Sequence, residues 1–378
     1  MTTTHLSPEQ LEKFGQEMDA IRAETMAKVG QEDADYIRKI IRAQRYLALS
    51  GRGLLWFGFM PPMAVVTWPL GTLALGAAKI LENMEIGHNV MHAQYDWMGD
   101  PKLHSQTYEW DTVCDADQWR HSHNFMHHTY TNVLGKDRDV GYGILRMDER
   151  QPWERRFLLQ PLWNFLLASN FDIGVGVHDV EFDRVMKGEV SREEFKRRFK
   201  PFLKKAGRMW LKDYVVFPLL SGPNFLGTMA GNLGANIIRN FWTYSIIFCG
   251  HFPEGVEVFE YTEDELKNET KGQWYLRQLR GSANIEGGKL FHIMSGNLSH
   301  QIEHHLFPDV PAHRYAEMSV KVREVCERYG LAYNSGPFLK QFWGVQKKVF
   351  KFALPGRRKL NKQAKAEVAA DAKLAQAA

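Results

Sequence analysis

Two seven-residue stretches of this chain repeat one polar pattern: "SHNFMHH" at residues 122–128 and "SHQIEHH" at residues 299–305. Each begins with Ser-His, continues with an amide residue and two variable residues, and ends with His-His. A third stretch, "HNVMH" at residues 88–92, places two histidines four residues apart. Residues i and i+4 share one face of a helix, and neutral imidazole is the commonest metal ligand in proteins. The pattern therefore predicts a metal site assembled from helices that are far apart in the chain.

The number of clustered histidines bears on the kind of metal site. A structural zinc takes four ligands and a catalytic zinc takes three plus water, so these stretches supply too many for one zinc. They suit two metals with open positions, and an all-nitrogen ligand set suits zinc, copper, iron or nickel. The sequence has no HExxH motif, and Glu85-x-x-His88 lacks the second Glu-x-x-His of a ferritin-like di-iron bundle.

Apolar residues are concentrated in three blocks, near residues 46–81, 157–178 and 214–250. The chain as a whole is 44% hydrophobic, with a mean hydropathy of −0.39. The first block predicts one spanning helix or a hairpin that goes out over residues 46–66 and returns over 70–86, turning at residues 67–69. The third block contains one interior charge, Arg239, and its "AGNLG" at residues 230–234 predicts a second hairpin. The soluble alternative is two buried core hairpins.

The distribution of basic residues favours the membrane. Five precede the first block between residues 38 and 52, seven lie within residues 196–208, and the two proposed outer turns have none. This matches the positive-inside rule for hairpins inserted from the cytosol. The 157–178 block is then expected at the interface or against the cytosolic domain.

The remaining composition excludes several classes of protein. The net charge of +4 is too small to indicate nucleic-acid binding. The three cysteines, Cys114, Cys249 and Cys326, have neither zinc-ribbon nor redox spacing. The first 45 residues are polar and charged, which is not typical of a signal peptide.

The histidine stretches resemble the three histidine boxes of the membrane-bound fatty acid desaturases. "HNVMH", "HNFMHH" and "HQIEHHLFP" (residues 300–308) are similar to those boxes, and "HHTYTN", "GKDRDVGYG" and "FCGHFP" also resemble that family. The resemblance covers residues 88–308. It implies an all-α membrane protein, in which four transmembrane helices in two hairpins lie under a cytosolic helical cap that holds a di-iron site.

The resemblance also implies the site residues, and it assigns no catalytic residues beyond the metal ligands. The expected iron ligands are His88, His92, His123, His127, His128, His304 and His305, with His251 as an additional one. At the start of the third box two alternatives stay open. Gln301 fits the Q-x-x-H-H pattern of many relatives, whereas His300 aligns with His304 on a helix. Candidates for orienting the imidazoles are Glu303, Asp137 and Asp139.

The activity that the resemblance implies is O₂-dependent insertion of a cis double bond into a fatty acyl chain, in lipid metabolism, at two iron ions. The acyl chain is expected to be linked to CoA, to a carrier protein or to a lipid. The chain has no His-Pro-Gly-Gly haem motif, no GxGxxG after a strand and too few cysteines for a [2Fe–2S] cluster. Two electrons are therefore expected from outside, from a ferredoxin with its reductase or from a flavin/iron–sulfur reductase. The alternatives are a lipid or alkane hydroxylase with the same boxes, and a membrane module that binds metal without catalysis.

The predicted organisation has four parts. They are a cytosolic segment (1–45), a desaturase domain (46–308, with hairpins at about 46–88 and 213–250), C-terminal cytosolic helices (309–354) and a basic, Ala-rich tail (355–378). The protein is expected to be a multi-pass integral membrane protein, of the inner membrane if bacterial, with its active site on the cytosolic side. The basic run at residues 196–208 predicts either an anchor for anionic lipid or a docking patch for an acidic redox partner.

Overall fold

Two helical hairpins form the centre of the fold in the computed structural model, which describes residues 4–58, 62–186 and 188–355. The predicted tail lies outside the described residues, apart from residue 355. The N-terminal helices are α1 (Pro8–Met26), α2 (Gln31–Trp56) and α3 (Ala64–Ile80). Helix α3 continues as a π-helical segment, Leu81–His88, and then as α4 (Asn89–Met91). Helices α2 and α3 pack against each other as the first hairpin.

The second hairpin follows a long stretch of cap sequence. Its outgoing arm continues from α10 (Arg192–Leu211) and consists of a π-helical segment (Lys212–Val216) and α11 (Phe217–Leu220); after a 3₁₀ turn at Gly222–Asn224, α12 (Phe225–His251) returns. Helix α12 packs along α3. The side-chain amide of Asn224 donates a hydrogen bond to the carbonyl of Leu55, so the turns of both hairpins lie at the same end. The histidine boxes therefore collect at the other end.

The predicted turn of the first hairpin is wrong. Residues 67–69 lie inside α3, which begins at Ala64, and the chain reverses between Phe57 and Met63 instead. Pro69 removes one hydrogen bond near the start of a long helix, which the helix tolerates, whereas the two consecutive prolines at residues 61–62 are the stronger helix breaker.

The predicted break at residues 230–234 is also wrong, because α12 runs through it as one helix of 27 residues. The reversal falls earlier, at Gly222–Asn224. The glycines in this stretch serve packing: a Cβ on Gly231 would lie 2.5 Å from a methyl carbon of Leu55, and one on Gly234 would lie 2.9 Å from Thr72. Small residues at such points allow helices to approach closely.

One described helix, Ala64–Met91, is long and apolar enough to cross a membrane by length and composition. Helix α12 is equally long, about 40 Å at 1.5 Å per residue, but it contains polar residues and Arg239. That guanidinium is buried and donates to Asp172 at 2.6 Å. The structure confirms a largely helical protein, and the four spanning helices stay a prediction.

The other elements form a cap around the histidine end of the hairpins. Its first half contains α5 (Ala116–Trp119), a π-helical segment (Arg120–His127), α6 (His128–Tyr130), α7 (Gln160–Ser169), α8 (Phe171–Asp179) and α9 (Phe182–Met186). Its second half contains α13 (Glu263–Lys267), α14 (Lys271–Arg280), α15 (Lys289–Met294), α16 (Gln301–Leu306), α17 (Tyr315–Arg328) and α18 (Phe338–Ala353). Strands β1 (Asn284–Glu286) and β2 (Ser335–Pro337) pair in parallel. One hydrophobic core joins α1, α14, α16 and α17, so the N-terminal helix and α17 pack around the third box.

Candidate metal centre

Seven histidines converge in two groups where the hairpins meet the cap. The first histidine cluster is His88, His92, His123 and His304, and the second is His127, His251 and His305. Within each cluster the ligand nitrogens lie within 4.8 Å of one another, and every ring is buried. The chain therefore brings three boxes and the end of α12 together in one buried centre with two groups of donors.

Residues that are neighbours in one box point to different clusters. His304 and His305 separate because successive residues of a helix point about 100° apart. His123 and His127 also separate, although they are four residues apart, with ring centroids at 5.0 Å. Their rings lie stacked on the same side of a π-helical segment, and both also form a third group of possible ligands with Asp139. Of the pairs at this spacing, His88 and His92 share a cluster.

The ring of His128 lies between the two clusters. Its centroid is 4.7 Å from that of His92 and 4.8 Å from that of His304, and it stacks on His305 at 4.6 Å. Both of its ring nitrogens are buried and have no hydrogen-bond partner in the part of the chain that the structure describes. His128 is therefore placed to serve either cluster.

The structure separates the two candidates at the start of the third box. The side-chain amide nitrogen of Gln301 is 3.1 Å from Nε2 of His251, and its Oε1 is buried without a hydrogen-bond partner. His300 precedes α16 in a non-helical conformation, and its ring stacks on His292 at 4.7 Å. Gln301 thus lies beside the second cluster, and His300 lies outside both.

The donor set fits metal ions. The Nε2 atoms of all four first-cluster histidines and of His127 are buried and have no hydrogen-bond partner among the described residues. An unpaired buried polar atom costs about 1–3 kcal/mol, and a cation that accepts these lone pairs removes that cost. Burial, reinforced by neighbouring histidines, holds the pKa values of His92, His128 and His304 well below the usual range. These rings are therefore neutral, which is the form that binds metals.

Two of the three predicted orienting carboxylates lie against cluster histidines. Asp137 Oδ2 is 3.0 Å from Nδ1 of His127 and also accepts the backbone N–H of Asn132. Burial opposes the charged form of His127, but the carboxylates outweigh it and raise the pKa of this ring to about 9. Asp139 Oδ2 lies 3.7 Å from Nδ1 of both His123 and His127.

Glu303, the third predicted carboxylate, forms its hydrogen bonds away from the two histidine clusters. It accepts hydrogen bonds from the Asn284 amide at 2.8 Å and from the Tyr333 hydroxyl at 2.9 Å. Burial raises its pKa to about 7. Its contacts tie the third box to β1 and to the segment before β2, rather than orienting a cluster ring.

Several residues around the clusters were missed by the sequence reasoning. Nδ1 of His305 is shared by Gln278 Oε1 at 3.1 Å and Thr131 Oγ1 at 3.2 Å. Asn89 Oδ1 is 3.1 Å from Nδ1 of His88, and its position inside the first box was the only available signal. Trp119 stacks on His123 with ring centroids 4.4 Å apart.

A cleft opens beside the first cluster. It encloses about 700 Å³ of empty space, its open mouth included, and reaches His88 and His123. Much of its wall is apolar or aromatic, including Met84, Trp110, Phe171, Val175 and Ile247. An apolar group that enters this cleft would meet the rings of His88 and His123.

A helical protein with two buried histidine clusters and an apolar cleft beside the first has the donors of a metal-binding protein and a wall suited to apolar groups. The model of the family described as "Fatty acid desaturase" matches residues 63–337, and the chain belongs to that family. The predicted family is thereby confirmed. The protein is an oxidoreductase that desaturates fatty acyl chains with the help of an electron donor, as the sequence predicts.

The relatives include desaturases of several lipid classes. The chain is 49% identical over 357 residues to an NADPH-dependent stearoyl-CoA 9-desaturase of Mycobacterium tuberculosis, covering 93% of this chain and 82% of the relative. It is 27% identical over 285 residues to an sn-1 linoleoyl-lipid 6-desaturase of Synechocystis, covering 72% and 76%. It is 30% identical over 238 residues to fatty acid desaturase 3 of Bos taurus, covering 58% and 47%.

Proposed function

We propose that this protein inserts a cis double bond at carbon 9 of stearoyl-CoA, using O₂ and two electrons that originate from NADPH. The observation that carries the proposal is the 49% identity, across most of both chains, to a relative with that activity. The apolar cleft beside the first cluster supports it, because a saturated acyl chain offers the protein only apolar surface to hold. An acyl chain linked to a carrier protein or to a lipid is the alternative substrate.

The two metals are proposed to be iron. The four histidines of the first cluster would hold one ion, and the three of the second cluster would hold the other together with Gln301, while His128 lies within reach of both. Two iron ions would supply the O₂ chemistry that removes hydrogen from unactivated methylenes. We propose Gln301 rather than His300 as the ligand that opens the third box.

The chain's own residues orient the histidine rings and the acyl chain and exclude water from the site. Asp137 fixes the plane of the His127 ring, and Asp139 lies where it can do the same for His123. Methylenes carry no polar handle, so the position of the double bond must follow from how the cleft walls hold the acyl chain. Phe171, Val175 and Ile247 form part of that wall.

The proposed reaction is tested by product analysis with ¹⁸O₂. Purified protein supplied with iron, reductant and stearoyl-CoA is expected to give the 9-unsaturated acyl chain, with the heavy oxygen found in water. The hydroxylase alternative leaves the label in an alcohol on the acyl chain. An alcohol as the main product would contradict desaturation, and a double bond at another carbon would contradict the assignment to carbon 9.

The cleft is tested in the same assay by two substitutions in one helix. Val175→Phe fills part of the cleft and is expected to lower turnover of stearoyl-CoA more than that of shorter acyl chains. Val177→Phe is the control, because Val177 is 37% exposed and does not line the cleft. Equal effects of the two variants on chain-length preference would argue against this cleft as the acyl site.

We propose that the two hairpins span the membrane from the cytosolic side, with outer turns at residues 57–63 and 221–224. The outer faces of the hairpins expose large apolar side chains: Leu49, Val65, Leu73, Leu219, Leu226 and Leu233. Large exposed apolar surfaces mark membrane or protein interaction sites, and lipid is the proposed cover for these faces. Helix α7 exposes Leu162 and Phe165 and is proposed to lie at the interface.

We also propose the four-part organisation predicted from the sequence. The hydrophobic core shared by α1 and α17 supports placing residues 1–45 and 309–354 together on the cytosolic side.

Single cysteines report this topology. Pro223→Cys, in the exposed second turn, is expected to react with a membrane-impermeant maleimide only from outside the cytosol, and Lys267→Cys, in the cap, only from the cytosolic side. The three natural cysteines are buried, so background labelling is expected to be low. Labelling of both positions from one side would contradict the two-hairpin arrangement.

A further inference from the structure

We propose that α10 carries the docking surface for the electron donor, a one-electron carrier protein with an acidic face. The surface is formed by Lys196, Lys200, Lys204 and Arg208, called here the α10 stripe. The inference rests on the proposed use of an external electron donor. It adds where that donor binds and which charge it bears.

The α10 stripe is a line of cations on one face of a helix. Its members recur every four residues and extend about 18 Å, at 1.5 Å per residue. All four are exposed, and none forms an ion pair with a side chain that the structure describes. Unpaired cations attract an acidic partner over a distance set by screening, about 8–10 Å at ordinary salt.

Other cations of the same helix are already engaged within the protein. Arg197 pairs with Glu194 at 2.7 Å, and Arg198 pairs with Glu194 and with Glu181. Lys205 pairs with Glu109. Arg198 and Lys205 thus tie α10 to the rest of the protein, Arg197 is exposed but paired within its own helix, and the α10 stripe is exposed and unpaired among the described side chains. This division also shows which residues an experiment can change without disturbing the fold.

The inner side of α10 rests on the segment that leads into the second histidine box. The side-chain amide of Gln118 donates to the carbonyl of Arg198 at 2.6 Å. The ammonium of Lys205 donates to the carbonyl of Cys114, which also accepts the indole N–H of Trp110 at 3.0 Å. Helix α10 is therefore separated from Trp110 by a single backbone carbonyl.

Aromatic rings continue from this point to the metal clusters. The rings of Trp110 and Trp119 have centroids 5.0 Å apart, and Trp119 stacks on His123 at 4.4 Å. Trp119 also meets His88 and His92 edge-on, at 5.4 and 5.6 Å. A donor bound on the α10 stripe would thus lie across α10 from Trp110 and Trp119. The ring of Trp119 is in contact with three of the four first-cluster histidines.

The placement of the α10 stripe favours a protein partner over lipid head groups. Trp210 and Leu211 are exposed and mark where α10 approaches the proposed membrane surface, so Arg208 lies near that surface. Lys196 lies twelve residues earlier in α10 than Arg208. It is beside the contact between Arg198 and Gln118, and hence next to the second box. An anchor for anionic lipid needs cations only close to the membrane surface, whereas a protein face can use the whole length.

The electron count of the reaction is met when a one-electron carrier binds twice in each turnover. One turnover is R–CH₂–CH₂–R′ + O₂ + 2 H⁺ + 2 e⁻ → R–CH=CH–R′ + 2 H₂O. Each reduced carrier gives one electron and leaves oxidised, so the partner must bind and leave twice in every turnover. Attraction by exposed charges gives the fast association and easy release that this exchange requires.

Binding is tested with a plant-type [2Fe–2S] ferredoxin, an acidic one-electron carrier, and the iron-loaded protein in nanodiscs of zwitterionic lipid. The triple variant K196E/K200E/K204E is expected to bind the ferredoxin at least tenfold more weakly and with a smaller dependence on salt. The control K13E/K267E/K340E makes the same change in net charge at exposed positions on other helices, and its affinity is expected to stay within twofold of the wild type.

Turnover provides the second measurement. The α10 variant is expected to show a raised KM for ferredoxin and an unchanged rate with reduced methyl viologen, which needs no docking surface. Unchanged ferredoxin affinity, or an equal loss with both reductants, would overturn the proposal. A defect confined to nanodiscs of anionic lipid would assign the α10 stripe to the membrane instead. Failure of the proposed function is distinguishable from failure of the docking proposal. In the first case the wild-type protein yields no unsaturated product with reduced methyl viologen. The ferredoxin affinity is measured without turnover and tests the docking proposal alone.

Discussion

His304→Ala is expected to reduce desaturation at least 100-fold and to lower the bound metal by half or more. His304 is fully buried in the first cluster, and its ring lies 4.8 Å from that of His88 and 4.7 Å from that of His92. Alanine removes one of the four nitrogen donors of the first cluster and leaves an incomplete set. Metal analysis by mass spectrometry and a turnover assay on the same purified sample measure both effects.

The same box provides a matched control. His300→Ala removes an identical side chain four residues earlier, but from a ring that stacks on His292 outside both clusters, so it is expected to keep its metal. Gln301→Ala is expected to lose metal from the second cluster alone. Full metal and full turnover in His304→Ala, or a loss in His300→Ala as large as in His304→Ala, would refute the assignment of the clusters.

Arg277→Met is expected to destabilise the protein by about 3–5 kcal/mol, the range for an unpaired buried charge. Arg277 is completely buried in α14 and pairs with Glu269 at 2.6 Å. It also donates to the carbonyls of Thr129 and Thr131, immediately after the second box. The substitution leaves a buried carboxylate without its partner and releases the backbone that follows His128. Denaturant unfolding in detergent and metal content are the measurements.

The control for this effect lies one turn further along the same helix. Arg280 is 29% exposed and pairs with Glu257 at 2.8 Å, so Arg280→Met is expected to cost at most about 1 kcal/mol. Adding Glu269→Gln to Arg277→Met removes the stranded charge and is expected to restore part of the stability. Equal destabilisation by Arg277→Met and Arg280→Met would show that the buried pair has no special role.

The histidine boxes and the two apolar hairpins could be predicted from the sequence because both are local patterns. A spacing of four between His88 and His92 is visible without any knowledge of the fold, and so is an uncharged block of 25 residues. The turns were misplaced because proline and glycine have two uses. Pro69 and Gly231 were read as turn signals, but one is tolerated in a helix and the other allows a helix to approach its neighbour.

The remaining parts of the site depend on contacts that no local pattern records. Gln278 reaches His305 from a different helix, and nothing in its own surroundings predicts that role. The division of His123 and His127 between two clusters depends on which histidines the other boxes bring to each ring, and their spacing of four does not show it. The partner of Arg239 is Asp172, 67 residues away. A hydropathy scale therefore counts Arg239 as an unpaired charge, although the fold pairs that charge with a carboxylate.

The position of the third box fixes when the centre can be completed during synthesis. His305 is made 177 residues after His128, and at roughly 5–20 residues per second the ribosome takes about 9–35 s to cover that distance. Helix α12, which delivers His251, is made within this interval. The first two boxes therefore wait, with their rings unpaired, until the second hairpin has formed. Any factor that supplies metal to the nascent chain must act late, after the hairpins are in place.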